Sequence, residues 1–333
     1  MHRRAAILAS LGVDVRVLVA GDPLVTAYDG IATRRVGVAR HALLFALPSF
    51  IAAARDVDLV HTFSYHAALP AYVAARLMRK PVVCEYLGLF GPGWSMMRPP
   101  AVAWAYRSFE RLLVRIPFDA NIYLSETSRR LANDDGPRAI VVPPGVDPPF
   151  FNMVAPEQKE DLVLFAGKFE KRKGIEEVLA VARACSEIRF AAVGWGPDTG
   201  TFASAAPSNL QVVIGRGPLE SLDAYRDMLG RARVFFFPSF AESFGIVVAE
   251  AMARGCAIIS STSHDFRGVH VEAGRTEQMV DAVRMLWQDR ETSLAWGAEN
   301  RVLARKYDWA AGCESVLRLY HKLLREHATR RKP

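Results

Sequence analysis

No uncharged apolar stretch of this 333-residue chain reaches the roughly 18 residues that a membrane-spanning helix needs. The longest apolar run, 42–54, is interrupted by Pro48 and Ser49, so it reads as a core or interfacial helix. The basic start, Met1-His2-Arg3-Arg4, is followed by too short an apolar segment (5–11) for a signal peptide. Cysteine is scarce: Cys84, Cys185, Cys256 and Cys313 lie far apart, with no CxxC pair. The expectation is buried, reduced thiols in a cytoplasmic protein. No His/Cys cluster has metal-ligand spacing, so no metal is expected. A Lys/Arg block interleaved with aromatics is missing too, which argues against nucleic acid as a partner. What remains is a modest basic excess, 42 Lys and Arg against 35 Asp and Glu. That balance suits an anionic partner such as a nucleotide phosphate or an acidic lipid surface, and equally suits plain solubility.

At ~100–200 residues per domain, the length implies two domains. Val- and Ile-rich segments at 13–20, 31–38, 57–63, 81–86, 120–124 and 139–142 predict strands. Between them, 40–55, 67–79, 101–114 and 126–132 predict helices. Such alternation implies a parallel, doubly wound α/β sheet. Pro143-Pro144-Gly145-Val146-Asp147-Pro148-Pro149 then places four prolines in seven residues, which neither a helix nor a central strand tolerates. It marks a domain junction. A second alternation follows, with strands at 162–166, 189–193, 210–214, 234–237, 257–260 and 268–272. Its helices fall at 174–185, 220–229, 247–254 and 276–289. Residues 291–326 read as almost wholly helical, with Cys313, Val316, Leu317, Leu319, Tyr320 and Leu324 on one buried stripe. The expected division is 1–146, 147–307 and a C-terminal helix at 308–328. Ligands of such sheets bind outside the carboxyl ends of the strands, here in the cleft between the domains.

Three strand-end segments of the second half can carry chemistry. The first runs from Phe235-Phe236-Phe237-Pro238-Ser239 through Glu242-Ser243-Phe244-Gly245-Ile246 to Glu250. A helix beginning near Gly245 offers unpaired N–H groups to an anion, and Gly245 lets a ligand approach the backbone. Two carboxylates on one ligand site, Glu242 and Glu250, can accept bonds from vicinal hydroxyls; the alternatives are a helix cap and a solvated surface charge. The second segment, Gly167-Lys168-Phe169-Glu170-Lys171-Arg172-Lys173-Gly174, has four cations in six residues, suited to a diphosphate or to a solvated basic loop. The third, Gly194-Trp195-Gly196-Pro197, fixes a tight turn where a planar base could lie, and Gly215-Arg216-Gly217-Pro218 repeats the pattern.

In order along the chain, PPGVD, GK followed by KG, GxGP, a GRxP-like loop, and ESFG with a second Glu eight positions on resemble glycosyltransferase family 4, retaining enzymes of the GT-B fold. The resemblance covers most of the chain and is densest over 143–260. It implies two Rossmann-like domains and a donor UDP- or GDP-sugar bound by the second, with no metal. Glu242 would bond hydroxyls of the donor sugar, and the backbone around Phe244, Gly245 and Ile246 would hold sugar and phosphate. Glu250 would take the ribose. Lys168 and Lys173 would hold the diphosphate, Lys168 standing where relatives carry Arg. Gly194, Gly196, Pro197 and Arg216 would border the base. The implied chemistry is front-face transfer of a hexosyl group to a hydroxyl acceptor (a saccharide, a lipid-linked glycan or a small molecule). Electrostatic stabilisation of the leaving diphosphate would supply the main catalytic effect.

The chain departs from the family in three places. The usual opening strand and glycine-rich loop should precede residue 3 and are absent from the sequence, which is expected to leave two unpaired strand edges. That points to a truncated or misassigned start, or a shorter domain. Leu87 stands where the family has a His, and Leu cannot hydrogen-bond; Glu85 and Tyr86 are the substitutes to consider. The loop 261–267 is shortened. A second expectation is therefore a non-catalytic relative that binds a nucleotide sugar or a partner; a third is another GT-B reaction such as epimerisation. Asp56 and Asp58 read as a solvated turn, and His61 and His66 as structural or cleft-facing. Trp104, Tyr106, Phe109 and Leu112, mixed with Arg107, Arg111 and Arg115, suit a helix lying on anionic membrane, or an ordinary surface helix.

Overall fold

The computed structural model describes residues 2–28, 30–215 and 222–330. The chain forms two compact units. The first takes residues up to 92, then 104–145 and the stretch from 309 onward; the second takes 93–103 and 146–308.

In the first unit, β1 (Val17–Ala20) pairs parallel with β3 (Ile31–Val36), and β3 pairs antiparallel with the two-residue β2 (Ala27–Tyr28). A separate parallel sheet runs in chain order through β4 (Val60–Phe63), β5 (Val82–Tyr86), β6 (Ala120–Tyr123) and β7 (Ala139–Val141). Among the described residues, β1 and β4 thus each have a strand partner on one side alone. Their side chains still share a core: Leu18, Ala20 and Val60 pack with Leu43, Phe50, Ala54, Ala71 and Ala74. Apolar burial is non-directional and bridges a break that a hydrogen-bonded ladder cannot. The Trp309–Arg330 helix lies in this unit, burying Cys313, Val316, Leu319, Tyr320 and Leu323 against Leu8, Val83 and Ile122. Leu323 is the last buried residue of this helix, with Leu324 only half-buried; positions 316, 319/320 and 323 keep the helical period.

The helix expected over 40–55 is two pieces, a 3₁₀ turn Arg40–Phe45 and an α-helix Leu47–Ala54. Proline is accommodated in a first turn, where no intrahelical N–H is needed, so Pro48 fixes the restart. The strand β2 and the short helices Trp94–Met97 and Thr199–Ser204 have no periodic signal and were not expected from sequence.

The second unit is built on one parallel sheet of β8 (Glu160–Lys168), β9 (Phe190–Trp195), β10 (Leu210–Ile214), β11 (Ala232–Phe237), β12 (Ala257–Ser260) and β13 (Gly268–His270). Their order is β10-β9-β8-β11-β12-β13. The chain builds outward from β8 to β10, then returns to the other side of β8 as β11. This reversal is a topological switch point, where ligands of open α/β sheets bind beyond the strand ends. Every residue of β11 is buried, as a strand covered on both faces requires. All four cysteines are buried and unbridged.

Candidate functional site

Two loops leave the sheet at this switch point, one after β8 and one after β11, and they are laced together. A Cβ on Gly174, whose φ is 74°, would sit 2.3 Å from the Pro238 carbonyl oxygen, so only glycine permits the crossing. The Arg172 carbonyl accepts from Phe240 N–H at 2.9 Å and from Ser239 Oγ at 3.1 Å. Arg172 Nη1 donates to the Ala241 carbonyl at 2.6 Å.

The lacing brings Lys173 and Glu242, distant in sequence, into a largely buried ion pair with Nζ 2.5 Å from Oε1. The same Oε1 takes Ser239 Oγ at 2.7 Å and faces Arg172 Nη1 at 3.5 Å. Among the described residues no group bonds Oε2. Glu242 is thus anchored by one oxygen and open at the other. Burial holds the Lys173 ammonium below the ordinary lysine value, with the Glu242 charge opposing that shift. Its Nζ also lies 5.5 Å over the Phe237 ring. Lys168 contrasts: it is exposed at the end of β8, its Nζ 5.6 Å over the Trp195 ring.

Gly245, with φ of 85°, is the N-cap of the Ile246–Ala253 helix and makes no side-chain cap bond. Among the described residues no side chain caps the first N–H groups of this helix; Glu242 bonds Lys173, Arg172 and Ser239 side chains instead and is not its cap. Phe244 packs edge-on against His264 and Tyr307, and Ile246 packs on the core. Glu250, further along, is half-buried rather than a solvated surface charge. Burial pushes its carboxyl up to about 7, the bond from Tyr225 (2.7 Å to Oε2) opposes the rise, and the Asp147 charge adds to it.

The two glycines after β9 have a packing reason of their own. A Cβ on Gly194 would fall 1.8 Å from the Gly167 carbonyl oxygen, and one on Gly196 would fall 2.4 Å from the Phe169 carbonyl oxygen. They let the β8 and β9 strand ends cross; Pro197 beside them is exposed. Arg216, with Gly217 and Pro218, lies outside the described residues. Sequence reasoning missed Ser239, Tyr225 and His264, and took Arg172 only as one cation among four. Ser239, three positions before Glu242 in a strand-end motif, was the discoverable one; nothing local marks Tyr225.

In the first unit, neither substitute for Leu87 stands open. Glu85 is 2% exposed and pairs with Arg4 Nη2 at 3.1 Å and His61 Nε2 at 3.3 Å. His61 Nδ1 in turn lies 2.5 Å from the Tyr320 hydroxyl. Tyr86 is fully buried and stacked on Tyr123. Alternation along β5 turns Glu85 towards the Trp309–Arg330 helix and Tyr86 to the opposite face. His61 is thus part of a buried network, and Asp56 and Asp58 are exposed.

Chemically, the switch-point loops can hold an anion with Lys173, Lys168 and the helix N-terminus, and can accept a hydroxyl at Glu242 Oε2. Comparison with known proteins identifies the family. Residues 1–145 match the glycosyl transferase 4-like domain, and residues 160–289 match the glycosyl transferases group 1. The chain is 28% identical over 297 residues to the phosphatidyl-myo-inositol mannosyltransferase of Mycobacterium leprae, an alignment covering 80% of this chain and 73% of that protein. It is 27% identical over 206 residues to the alpha-maltose-1-phosphate synthase of Mycolicibacterium smegmatis, covering 54% of this chain and only about half (52%) of that relative's length. Among solved structures, sucrose-phosphate synthase from Thermosynechococcus elongatus superposes with a TM-score of 0.81 at 20% identity, over 97% of this chain and 92% of that one. HepE of Anabaena, in complex with UDP and glucose, superposes with a TM-score of 0.75 at 13% identity, over 96% and 95%. The chain belongs to the family 4 glycosyltransferases and has their GT-B fold.

Proposed function

We propose that the protein transfers a hexosyl group, with retention, from a UDP- or GDP-linked donor bound by its second unit to a hydroxyl acceptor. The observation that carries this reading is the Lys173–Glu242 pair at the sheet's switch point, with Glu242 Oε2 left open beside the helix N-terminus at Gly245. Breaking the sugar–phosphate bond develops negative charge on the leaving diphosphate. Lys173, Lys168 and the helix N-terminus stabilise that charge with preorganised dipoles and cations. Glu242 Oε2 accepts a hydroxyl of the transferred sugar, which orients the anomeric carbon. Glu250 accepts from the ribose hydroxyls, and 194–197 border the base. The leaving phosphate takes the acceptor's proton, so no metal is needed. Structures of Anabaena HepE hold UDP or UDP-glucose, which supports the donor class. The test is Glu242→Ala, assayed for sugar transfer or donor hydrolysis. Loss of turnover with an unchanged melting temperature is expected, and full activity sinks the assignment.

One observation favours a second reading, a nucleotide-sugar binder without transfer: Leu87 stands at the expected polar position while Glu85 and Tyr86 are turned inward. Calorimetric binding of a nucleotide sugar with no transfer to any acceptor selects it; any measured transfer rejects it.

The acceptor proposed is lipid-linked, reached at the membrane surface. The relative from Mycobacterium leprae is named for a phosphatidyl-inositol acceptor. On the Pro100–Leu113 helix, Trp104 (69% exposed) and Leu112 (63%) stand outward beside exposed Arg111. Apolar side chains flanked by cations suit an anionic bilayer. Among the described residues no helix is long and apolar enough to cross a membrane. Co-sedimentation with acidic liposomes, lost at high salt, is expected; no sedimentation at low salt ends this part of the proposal.

A further inference from the structure

The loop 261–267 after β12 is tied to the loop that carries Glu242. Ser261 Oγ donates to the Ser239 carbonyl at 2.6 Å, and Ser239 Oγ donates to Glu242 Oε1 at 2.7 Å. A relay of hydroxyls then leads to His264. Ser260 Oγ donates to the Phe237 carbonyl at 3.1 Å and accepts from Thr262 N–H at 3.1 Å. Thr262 Oγ1 lies 2.9 Å from Ser260 Oγ and 2.9 Å from His264 Nδ1.

His264 itself is 6% exposed, its ring edge-on to Phe244 at 4.5 Å and to Tyr307 at 6.0 Å. Its Nε2 is buried and has no hydrogen-bond partner among the described residues. A buried nitrogen left so carries an uncompensated desolvation cost that a ligand hydroxyl would remove. The ring stands at the head of the Ile246–Ala253 helix. A Cβ added to Gly245 would meet His264 Cε1 at 3.4 Å, Glu242 Cγ at 3.6 Å and Phe237 Cε1 at 3.6 Å. The space that glycine keeps clear is therefore walled by the imidazole on one side and by Glu242 on another.

We propose that His264 is a recognition residue for the donor sugar, its Nε2 hydrogen-bonding one hydroxyl of the hexose while Glu242 Oε2 holds another. The proposal rests on the donor-site reading given above. Two features choose a hydroxyl over a phosphate oxygen. First, Ser260 Oγ gives its proton to the Phe237 carbonyl, so Thr262 Oγ1 donates to Ser260 Oγ and accepts from His264 Nδ1–H, which leaves a lone pair on Nε2. A hydroxyl can donate to that lone pair; an ionised phosphate oxygen, an acceptor alone, cannot. Second, burial and then the Lys306 charge pull the imidazole's pKa down to about 4, so the ring is neutral under working conditions. The cations for a diphosphate are Lys173 and Lys168.

The experiment is calorimetry on the full chain with four probes: UDP, UDP-glucose, GDP and GDP-mannose. The reading is the ratio of Kd for the nucleotide sugar to Kd for its nucleoside diphosphate. His264→Phe keeps a ring against Phe244 and Tyr307 but has no nitrogen. It is expected to raise that ratio on the order of tenfold, leaving the diphosphate Kd within about twofold. His264→Gln, which can place an amide near the Nε2 position, is expected to restore most of the difference. An unchanged ratio in His264→Phe overturns the proposal. Equal weakening of diphosphate and nucleotide sugar, in both variants, also overturns it and assigns the residue to the phosphate or to packing. If the unsubstituted protein binds none of the four probes, the donor-site reading fails first and this inference falls with it.

Discussion

The strand ends of the two units are wired differently. In the second unit, the loops after β11 and β12 hold polar groups by one side and leave the other open: Glu242 by Oε1, and His264 by Nδ1. In the first unit, the polar groups of β4 and β5 face one another inside a core. Glu85 pairs with Arg4 and lies against His61, and His61 contacts Tyr320, all beneath the Trp309–Arg330 helix. The sheets differ in the same sense. Six continuous parallel strands give the second unit a switch point, whereas the first unit's strands are split between two sheets that share a core without a shared ladder. A polar group left open at a switch point is suited to ligand; buried charges paired with one another in a core are suited to fixing a fold.

The sharpest way to break this comparison is Glu85→Ala. Arg4 is 4% exposed and would lose its carboxylate partner. Removing one member of a buried pair costs about 3–5 kcal/mol, because the other charge stays buried alone. A clear fall in melting temperature is expected, with the Kd for UDP or GDP unchanged. If nucleotide affinity falls with stability, the first unit's network is not merely structural and the contrast fails.

Within the second unit the two lysines sharpen it. Lys173 is largely buried and aimed by Glu242; Lys168 is exposed over Trp195. Lys173→Ala is expected to lower kcat roughly 10²–10³-fold, the range for removing one preorganised electrostatic group. Lys168→Ala should cost less, about tenfold, since an exposed cation is screened. Steady-state kinetics of both variants at low and at 0.5 M salt check this, the second variant being the salt-sensitive comparison. Equal losses would mean that burial does not rank these two groups.

Much of this was legible in sequence, for reasons that stop at identifiable points. Strands such as Leu210–Ile214 and Ala257–Ser260, and the helix Glu126–Ala132, have the bounds that periodicity and turn residues predict, because their neighbours are ordinary loops. Pro48 showed its interruption locally, but not that a 3₁₀ turn would precede the restart. At the site, sequence could name Lys173 and Glu242 as residue types suited to phosphate and hydroxyl. It could not show that one carboxylate oxygen is anchored by Lys173, Ser239 and Arg172 while the other is open, because that depends on two loops far apart in the chain meeting at Gly174 and Pro238. Gly194 and Gly196 illustrate the converse. A GxG reads as a ligand turn, yet a backbone crossing 1.8 Å from a would-be Cβ already demands glycine there. His264 carries no motif; its buried, unpaired Nε2 together with its place beside Gly245 and Glu242 singles it out.

Glu250 gives the subtlest test of the same contrast, because its effect is a pH dependence rather than a loss. Its carboxyl is raised from 4.5 to about 7, chiefly by burial. A raised carboxyl binds more protons folded than unfolded between those values. Stability from this group is therefore fully present below about pH 4.5 and is lost as pH rises through about 7. Ligand binding runs the other way. The ionised carboxylate accepts hydroxyl bonds more strongly than the neutral acid, so affinity for UDP or GDP is expected to rise as pH increases through about 7. Glu250→Gln keeps the shape and the acceptor oxygen but cannot ionise. It should flatten both trends, with higher stability than the parent at pH 8 and a pH-independent nucleotide Kd near the parent's acidic-side value. Thermal unfolding and calorimetry from pH 5.5 to 8.5 measure the two slopes together. Opposite slopes that vanish together in the variant place one titrating group at the ligand. Slopes that persist in the variant remove Glu250 from the nucleotide and leave the second unit's open polar groups at Glu242 and His264 alone.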